Sequence, residues 1–199
     1  KEERYIIEDD YDCEFRYRSR SIPALGSMDP CESVIYMNTF SKTLTPAIRI
    51  SYMVLPLHLL KKYQESCSFY STTVSKIQQE VLREFIRGVY FGRHLNKMRG
   101  IYKNKHDFLV GELKKKNWVE NIAGDNAGLH VLVQVNTTLT EEEICKKAAE
   151  CGIRLMGIRE HYIHTPPEGR PVLLLGYGKP DEQEIQKGLE VLESIITGD

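Results

Sequence analysis

Three side chains open the question of what this sequence can do. Asp9 and Tyr11 stand in the run Ile6-Ile7-Glu8-Asp9-Asp10-Tyr11-Asp12, and Lys42 stands in Thr39-Phe40-Ser41-Lys42-Thr43. Lys42 is flanked by hydroxyls, and Arg49 follows seven residues later. Taken singly these residues have ordinary readings: a solvated acidic turn, a surface lysine in a Ser/Thr-rich loop and a charge at a strand end. Taken as a set they match the needs of pyridoxal phosphate. That cofactor requires an amine to form a Schiff base and an acid to keep its pyridine nitrogen protonated, so that the ring can accept electrons. A carboxylate beside a pyridinium has its ionised form favoured in return. A phenol can donate to the ring oxygen, and hydroxyls with an arginine can hold the phosphate dianion.

Those residues must be brought together by the elements that carry them. Arg4 to Glu8 is a short apolar run expected to form a buried strand that opens into the acidic loop. Val34 to Thr39 is rich in β-formers and is expected to be a second strand. The stretch from Phe40 to Ala47 reads as a loop, and Ile48 to Leu55 as a third strand halted by Pro56. The gap between the second and third strands is too short for a crossover helix, so an antiparallel pair and a mixed sheet are expected. In open α/β sheets, ligands bind outside the carboxyl ends of the strands. Asp9 and Lys42 both follow such ends.

The rest of the chain is alternately helical and mixed. Helices are expected over 57–66, over 74–87 with a cap within Ser71-Thr72-Thr73, and over 91–116. The apolar stripe of the third is formed by Leu95, Met98, Ile101, Tyr102, Phe108, Leu109 and Leu113. Lys114-Lys115-Lys116 would complement the carboxyl end of its dipole. The last third reads as a strand over 128–135, a capped helix over 140–151, strands at 153–157 and 172–177, and a final amphipathic helix over 181–197. The expected division is a large-domain part over 1–90, a linking helix over 91–118 and a small α+β domain over 119–199.

Composition excludes several alternatives. The 199 residues carry 27 Lys+Arg against 28 Asp+Glu, a net charge of -1 that offers no general attraction to nucleic acid. No apolar run approaches the ~18 residues that span a bilayer. The five cysteines are odd in number and widely spaced, so reduced thiols are expected rather than a disulfide framework. His161 and His164 form the only close histidine pair, without further ligands nearby, and no metal site is expected. A cytoplasmic protein with no membrane association is the expectation.

The runs 6–17 and 39–52, with Asn126-Ala127-Gly128-Leu129-His130 and Gly169 to Tyr177, resemble the aminotransferase-like domain of MocR-type regulators, a branch of the GntR-type transcription factors. The resemblance extends over essentially the whole chain. It implies a fold-type I pyridoxal-phosphate domain of the α/β class, with a mixed sheet, flanking helices and a small α+β subdomain. It further implies a homodimer and DNA contact only through an N-terminal winged helix-turn-helix, which does not precede Lys1. The 199 residues are thus expected to be the C-terminal part of a longer protein, a fragment that by itself would bind cofactor poorly. By position, the resemblance implies that Lys42 carries pyridoxal 5'-phosphate, Asp9 faces the pyridine nitrogen and Tyr11 bonds the ring oxygen. Thr39, Ser41 and Arg49 would lie around the phosphate, and Arg159 would anchor a carboxylate of the effector. The implied function is sensing of a small amino compound through aldimine exchange at Lys42, with a true aminotransferase as the alternative. Ordinary aminotransferases carry an arginine for the substrate carboxylate about where this chain has Leu174, which favours a sensor; Arg170 reads as a salt-bridging loop residue.

Overall fold

A computed structural model of the chain describes residues 4–17, 22–165 and 168–198. The chain forms two compact units, Lys1–Met98 and Arg99–Asp199. In the first unit, β1 (Ile6–Asp9), β2 (Val34–Thr39) and β3 (Ser51–Val54) form a sheet in the order β1-β2-β3. β1 runs parallel to β2 in the register Asp9 opposite Met37, and β2 runs antiparallel to β3. The mixed sheet therefore follows the sequence expectation.

Three details of this unit depart from it. β1 is not buried: Ile6 and Ile7 are 52% and 66% exposed, because β1 is an edge strand on which little of the described chain packs. The segment after β2 is not simply a loop, since Phe40–Thr43 makes one helical turn, α1, and Pro46–Ile48 a 3-10 turn. Thr39 caps the first and Thr45 the second, each hydroxyl accepting from an amide two residues on. The helices α2 (Leu57–Cys67) and α3 (Lys76–Arg87) follow, and the cap of α3 is Ser75 rather than the preceding Ser-Thr-Thr.

The long helix α4 (Tyr90–Leu113) supplies residues to both units. In the second unit, β4 (Val119–Ala123), β5 (His130–Val135), β7 (Val172–Gly176) and β6 (Met156–Gly157) pair antiparallel in that spatial order. β4 was not expected; Val119-Glu120-Asn121-Ile122-Ala123 has little alternation, and its register shifts between Val119 and Asn121. α5 (Glu141–Glu150) and α6 (Glu182–Thr197) each begin in a capping box, Thr140 with Glu143 and Asp181 with Glu184. The core lies here. Its buried apolar side chains include Val131, Val133 and Val135 of β5, Leu173 and Leu175 of β7, Ile144 and Ala148 of α5, and the Ile185, Leu189, Leu192 and Ile196 stripe of α6.

α4 buries His106, Leu109, Val110 and Leu113 in this unit, a helical i, i+3, i+4, i+7 face that includes one residue too polar to be read as core. The His106 ring meets Tyr177 edge-on at 5.6 Å, and its Nδ1 lies 2.9 Å from Asp107 Oδ1. The three lysines after α4 fall beyond its last turn; Lys115 pairs with Glu112 and Lys116 with Glu193 at 2.6 Å. All five cysteines are free thiols. Among the described residues no helix is long and apolar enough to cross a membrane.

Candidate functional site

The carboxyl ends of β1 and β2 lie side by side because the two strands are parallel and in register, and the Asp10 amide donates to the Met37 carbonyl just past the last pair. Asp9 closes β1, Tyr11 opens the following turn, and Lys42 comes one helical turn after β2. The consequence is a direct contact: Lys42 Nζ sits 5.8 Å from the centre of the Tyr11 ring. Asp9, Tyr11 and Lys42 are all exposed.

The three neighbouring carboxylates do different work. Glu8 accepts from the amides of Leu25 and Gly26, at 2.7 and 3.1 Å, and fixes the 3-10 turn Leu25–Ser27. Asp10 accepts from the Tyr36 hydroxyl at 3.1 Å. Asp9 is left at the strand end, facing solvent.

Lys42 is exposed on a turn whose other groups are fixed. Thr39 Oγ1 accepts from the Ser41 amide and donates to the Ile50 carbonyl, both at 3.1 Å. Phe40 lies between Tyr52 of β3 and Phe91 of α4, with ring centres 5.3 and 6.0 Å away. Thr43 is buried, and its carbonyl lies 2.9 Å from His94 Nε2. Arg49 takes a left-handed backbone, φ 49° and ψ 38°, between the 3-10 turn and β3. For a non-glycine residue that conformation costs on the order of 1 kcal/mol or more, so surrounding structure holds it.

Several residues around the site escaped the sequence reading. Asn38 is only 3% exposed; its Nδ2 donates to the Tyr36 hydroxyl at 2.9 Å and its Oδ1 accepts from the Thr39 amide at 2.5 Å. A signal was present, since asparagine inside a β-former run is uncommon and needs a partner when buried. Burial, together with Asp10 and Glu14 nearby, pushes the Cys13 thiol up to about 12, so it stays protonated. Burial also raises the Tyr36 and Tyr52 phenols above the usual tyrosine range.

Arg159 belongs to the second unit. Its Nε lies 3.8 Å from Glu141 Oε1 and its Nη2 donates to the Gly169 carbonyl at 3.3 Å. Glu141, 5% exposed, also accepts from the amides of Arg159 and Val172 at 2.8 and 2.9 Å. Arg170 is salt-bridged to Glu120 at 3.2 Å.

The sequence profile of "Aminotransferase class I and II" matches residues 13–183. The chain belongs to that aminotransferase family. Within the family, its curated relatives include regulators. It is 39% identical over 191 residues to the HTH-type transcriptional regulator YdeL of Bacillus subtilis, covering 96% of this chain and 41% of that protein. It is 31% identical over 196 residues to the probable rhizopine catabolism regulatory protein MocR of Rhizobium meliloti, covering 98% and 39%. The resemblance to MocR-type regulators thus holds along nearly the whole chain, which spans about 40% of the length of these relatives. Among solved structures, the multiple substrate aminotransferase of Thermococcus profundus superposes with a TM-score of 0.83 at 22% identity, covering 98% of this chain and 48% of that one. The kynurenine aminotransferase of Pyrococcus horikoshii gives 0.82 at 24% identity, with the same coverages. The family fold is therefore fold-type I, an α/β arrangement with a mixed sheet.

Proposed function

We propose that this aminotransferase-family chain is the pyridoxal 5'-phosphate-binding, effector-sensing domain of a MocR-type regulator. DNA contact would lie in an N-terminal winged helix-turn-helix, in keeping with the near-zero net charge here. The observation that carries the reading is the approach of Lys42 Nζ to the Tyr11 ring, at the strand end where Asp9 also stands.

The residues present fit the cofactor. A primary amine, a carboxylate and a phenol share one exposed sheet end, with a hydroxyl on Ser41 and a guanidinium on Arg49 nearby in the chain. When bound, pyridoxal phosphate supplies an aldehyde that condenses with primary amines and a ring that withdraws electrons. Lys42 would hold it through Nζ and yield that place to an incoming amine. Asp9, as an anion, would accept a hydrogen bond from the ring nitrogen and keep its proton there. Tyr11 would donate its phenolic proton to the ring oxygen. Ser41 and Arg49 would hold the phosphate, with Thr39 shaping the turn that presents Ser41. Arg159 is the proposed anchor for an effector carboxylate, and Glu141 keeps its backbone amide fixed. A homodimer is part of the same reading.

Two measurements test it. In the full-length protein loaded with pyridoxal 5'-phosphate, Lys42→Ala should abolish the visible absorbance of the lysine-bound cofactor; a spectrum like the unsubstituted protein's would refute the assignment. Steady-state amino transfer to a keto acid separates the functions. Sustained turnover would make the protein an aminotransferase, whereas a spectral change on adding an amine without turnover supports the sensor.

A further inference from the structure

A continuous run of hydrogen bonds links the turn that carries Asp9 and Tyr11 to the helical turn that carries Lys42. The Tyr36 hydroxyl donates to Asp10 Oδ2 at 3.1 Å and accepts from Asn38 Nδ2 at 2.9 Å. Asn38 Oδ1 accepts from the Thr39 amide at 2.5 Å, and Thr39 Oγ1, as the cap of α1, accepts from the Ser41 amide at 3.1 Å. The strand geometry explains how the run is built. Tyr36 and Asn38 are two residues apart on β2 and so share a face, and the parallel register sets Glu8 opposite Tyr36, which brings Asp10 level with that face.

We infer that Tyr36 and Asn38 are positioning residues, which hold the Asp9–Tyr11 turn and the Lys42 turn in one fixed relation. Neither touches the reacting atoms. The inference rests on the reading of Lys42 and Asp9 given above.

Three features favour positioning over simple core filling. Asn38 is 3% exposed, so its amide must be satisfied internally, and it bonds the Tyr36 hydroxyl and the Cys13 sulfur on the side of the Asp9–Tyr11 turn and the Thr39 amide on the side of the Lys42 turn. Tyr36 and Asn38 each donate and accept through one side chain, so their dipoles polarise one another and the pair is stiffer than its separate bonds. The Cys13 thiol beside it, with its sulfur 3.9 Å from Asn38 Nδ2, stays uncharged and brings no competing ion.

The consequence falls on the charge balance of the cofactor. If the Asp9 turn loosens, its carboxylate holds the ring nitrogen less firmly in the protonated state. The nitrogen that Lys42 contributes then feels less positive charge and keeps its own proton to higher pH. The visible absorbance reports that proton.

The test compares Tyr36→Phe, Asn38→Ala, the double variant and Lys42→Ala in the full-length protein loaded with pyridoxal 5'-phosphate. The readout is the pH midpoint of the visible absorbance change, beside the melting temperature. Each single substitution should raise the midpoint by about one unit. The double variant should shift it no further than the larger single shift, because both break the same run. Lower melting temperatures with an unchanged midpoint would overturn the inference and leave the run purely structural, as would additive shifts. Should Asn38→Ala fail to fold, Tyr36→Phe decides, since it removes only one hydroxyl. A wild-type spectrum for Lys42→Ala would instead sink the underlying reading, and the two failures are told apart by that variant alone.

Discussion

Glu8, Asp9 and Asp10 are consecutive carboxylates with three different surroundings, and the difference decides which of them can serve a ligand. Glu8 accepts two backbone amides and Asp10 a phenol, so each has a structural partner to lose. Asp9 faces solvent at the carboxyl end of β1. Replacing it should therefore change ligand binding more than folding. Asp9→Asn in the full-length protein is expected to keep the lysine-bound absorbance while weakening pyridoxal 5'-phosphate affinity by about 10- to 100-fold, the worth of one hydrogen bond to a charged group. Titrating the apo-protein with cofactor checks this; an affinity equal to the unsubstituted protein's would move the pyridinium partner elsewhere.

At the scale of elements, the second unit is tied together by Glu141 at the first position of α5. Its carboxylate reaches the amide of Arg159 after β6 and the amide of Val172 at the start of β7. Gly157 makes that reach possible, since a methyl group there would lie 2.8 Å from Glu141 Cβ and closer still to Oε2. Gly157→Ala must push the α5 start away and leave buried polar groups unpaired. A loss of about 2–3 kcal/mol in urea denaturation is expected. A loss below a few tenths would mean that Glu141 does not hold these elements. Because Arg159 is bonded to the same carboxylate, the substitution should also disturb the residue proposed to anchor an effector.

For the whole molecule, burial is uneven. Among the described residues, the buried apolar side chains of the first unit are Phe15, Val34, Ile50 and Leu82, whereas the second buries Trp118, Tyr177 and a full set of strand and helix aliphatics. The first unit meanwhile exposes Ile6, Ile7, Met53, Val54, Leu57, Phe69, Tyr70, Ile77 and Val81. That many large apolar side chains left in water on a small unit is more than a self-sufficient domain carries. Residues 99–199 expressed alone should unfold cooperatively, with a single sigmoidal transition by circular dichroism. Residues 1–98 alone should aggregate or stay unstructured. A cooperative transition for 1–98 would show that its few buried contacts suffice.

Much of this could be read from residue order alone. The motif around Lys42, the strand Val34–Thr39, the antiparallel return to β3 and both capped helices of the second unit are local signals, carried by side-chain period and cap chemistry within a few residues. The salt bridge of Arg170 was also anticipated. Other features depend on partners distant in sequence. Nothing in Ile6-Ile7-Glu8 tells that its strand lies exposed, because burial depends on what packs above it. β4 exists because β5 offers it a ladder, and His106 is buried because Leu109, Val110 and Leu113 turn its helix face inward. Local chemistry names the groups, but only the parallel register of β1 and β2 carries Lys42 to the Tyr11 ring, because pairing across the 24 residues between Asp9 and Val34 is a property of the folded chain rather than of either segment.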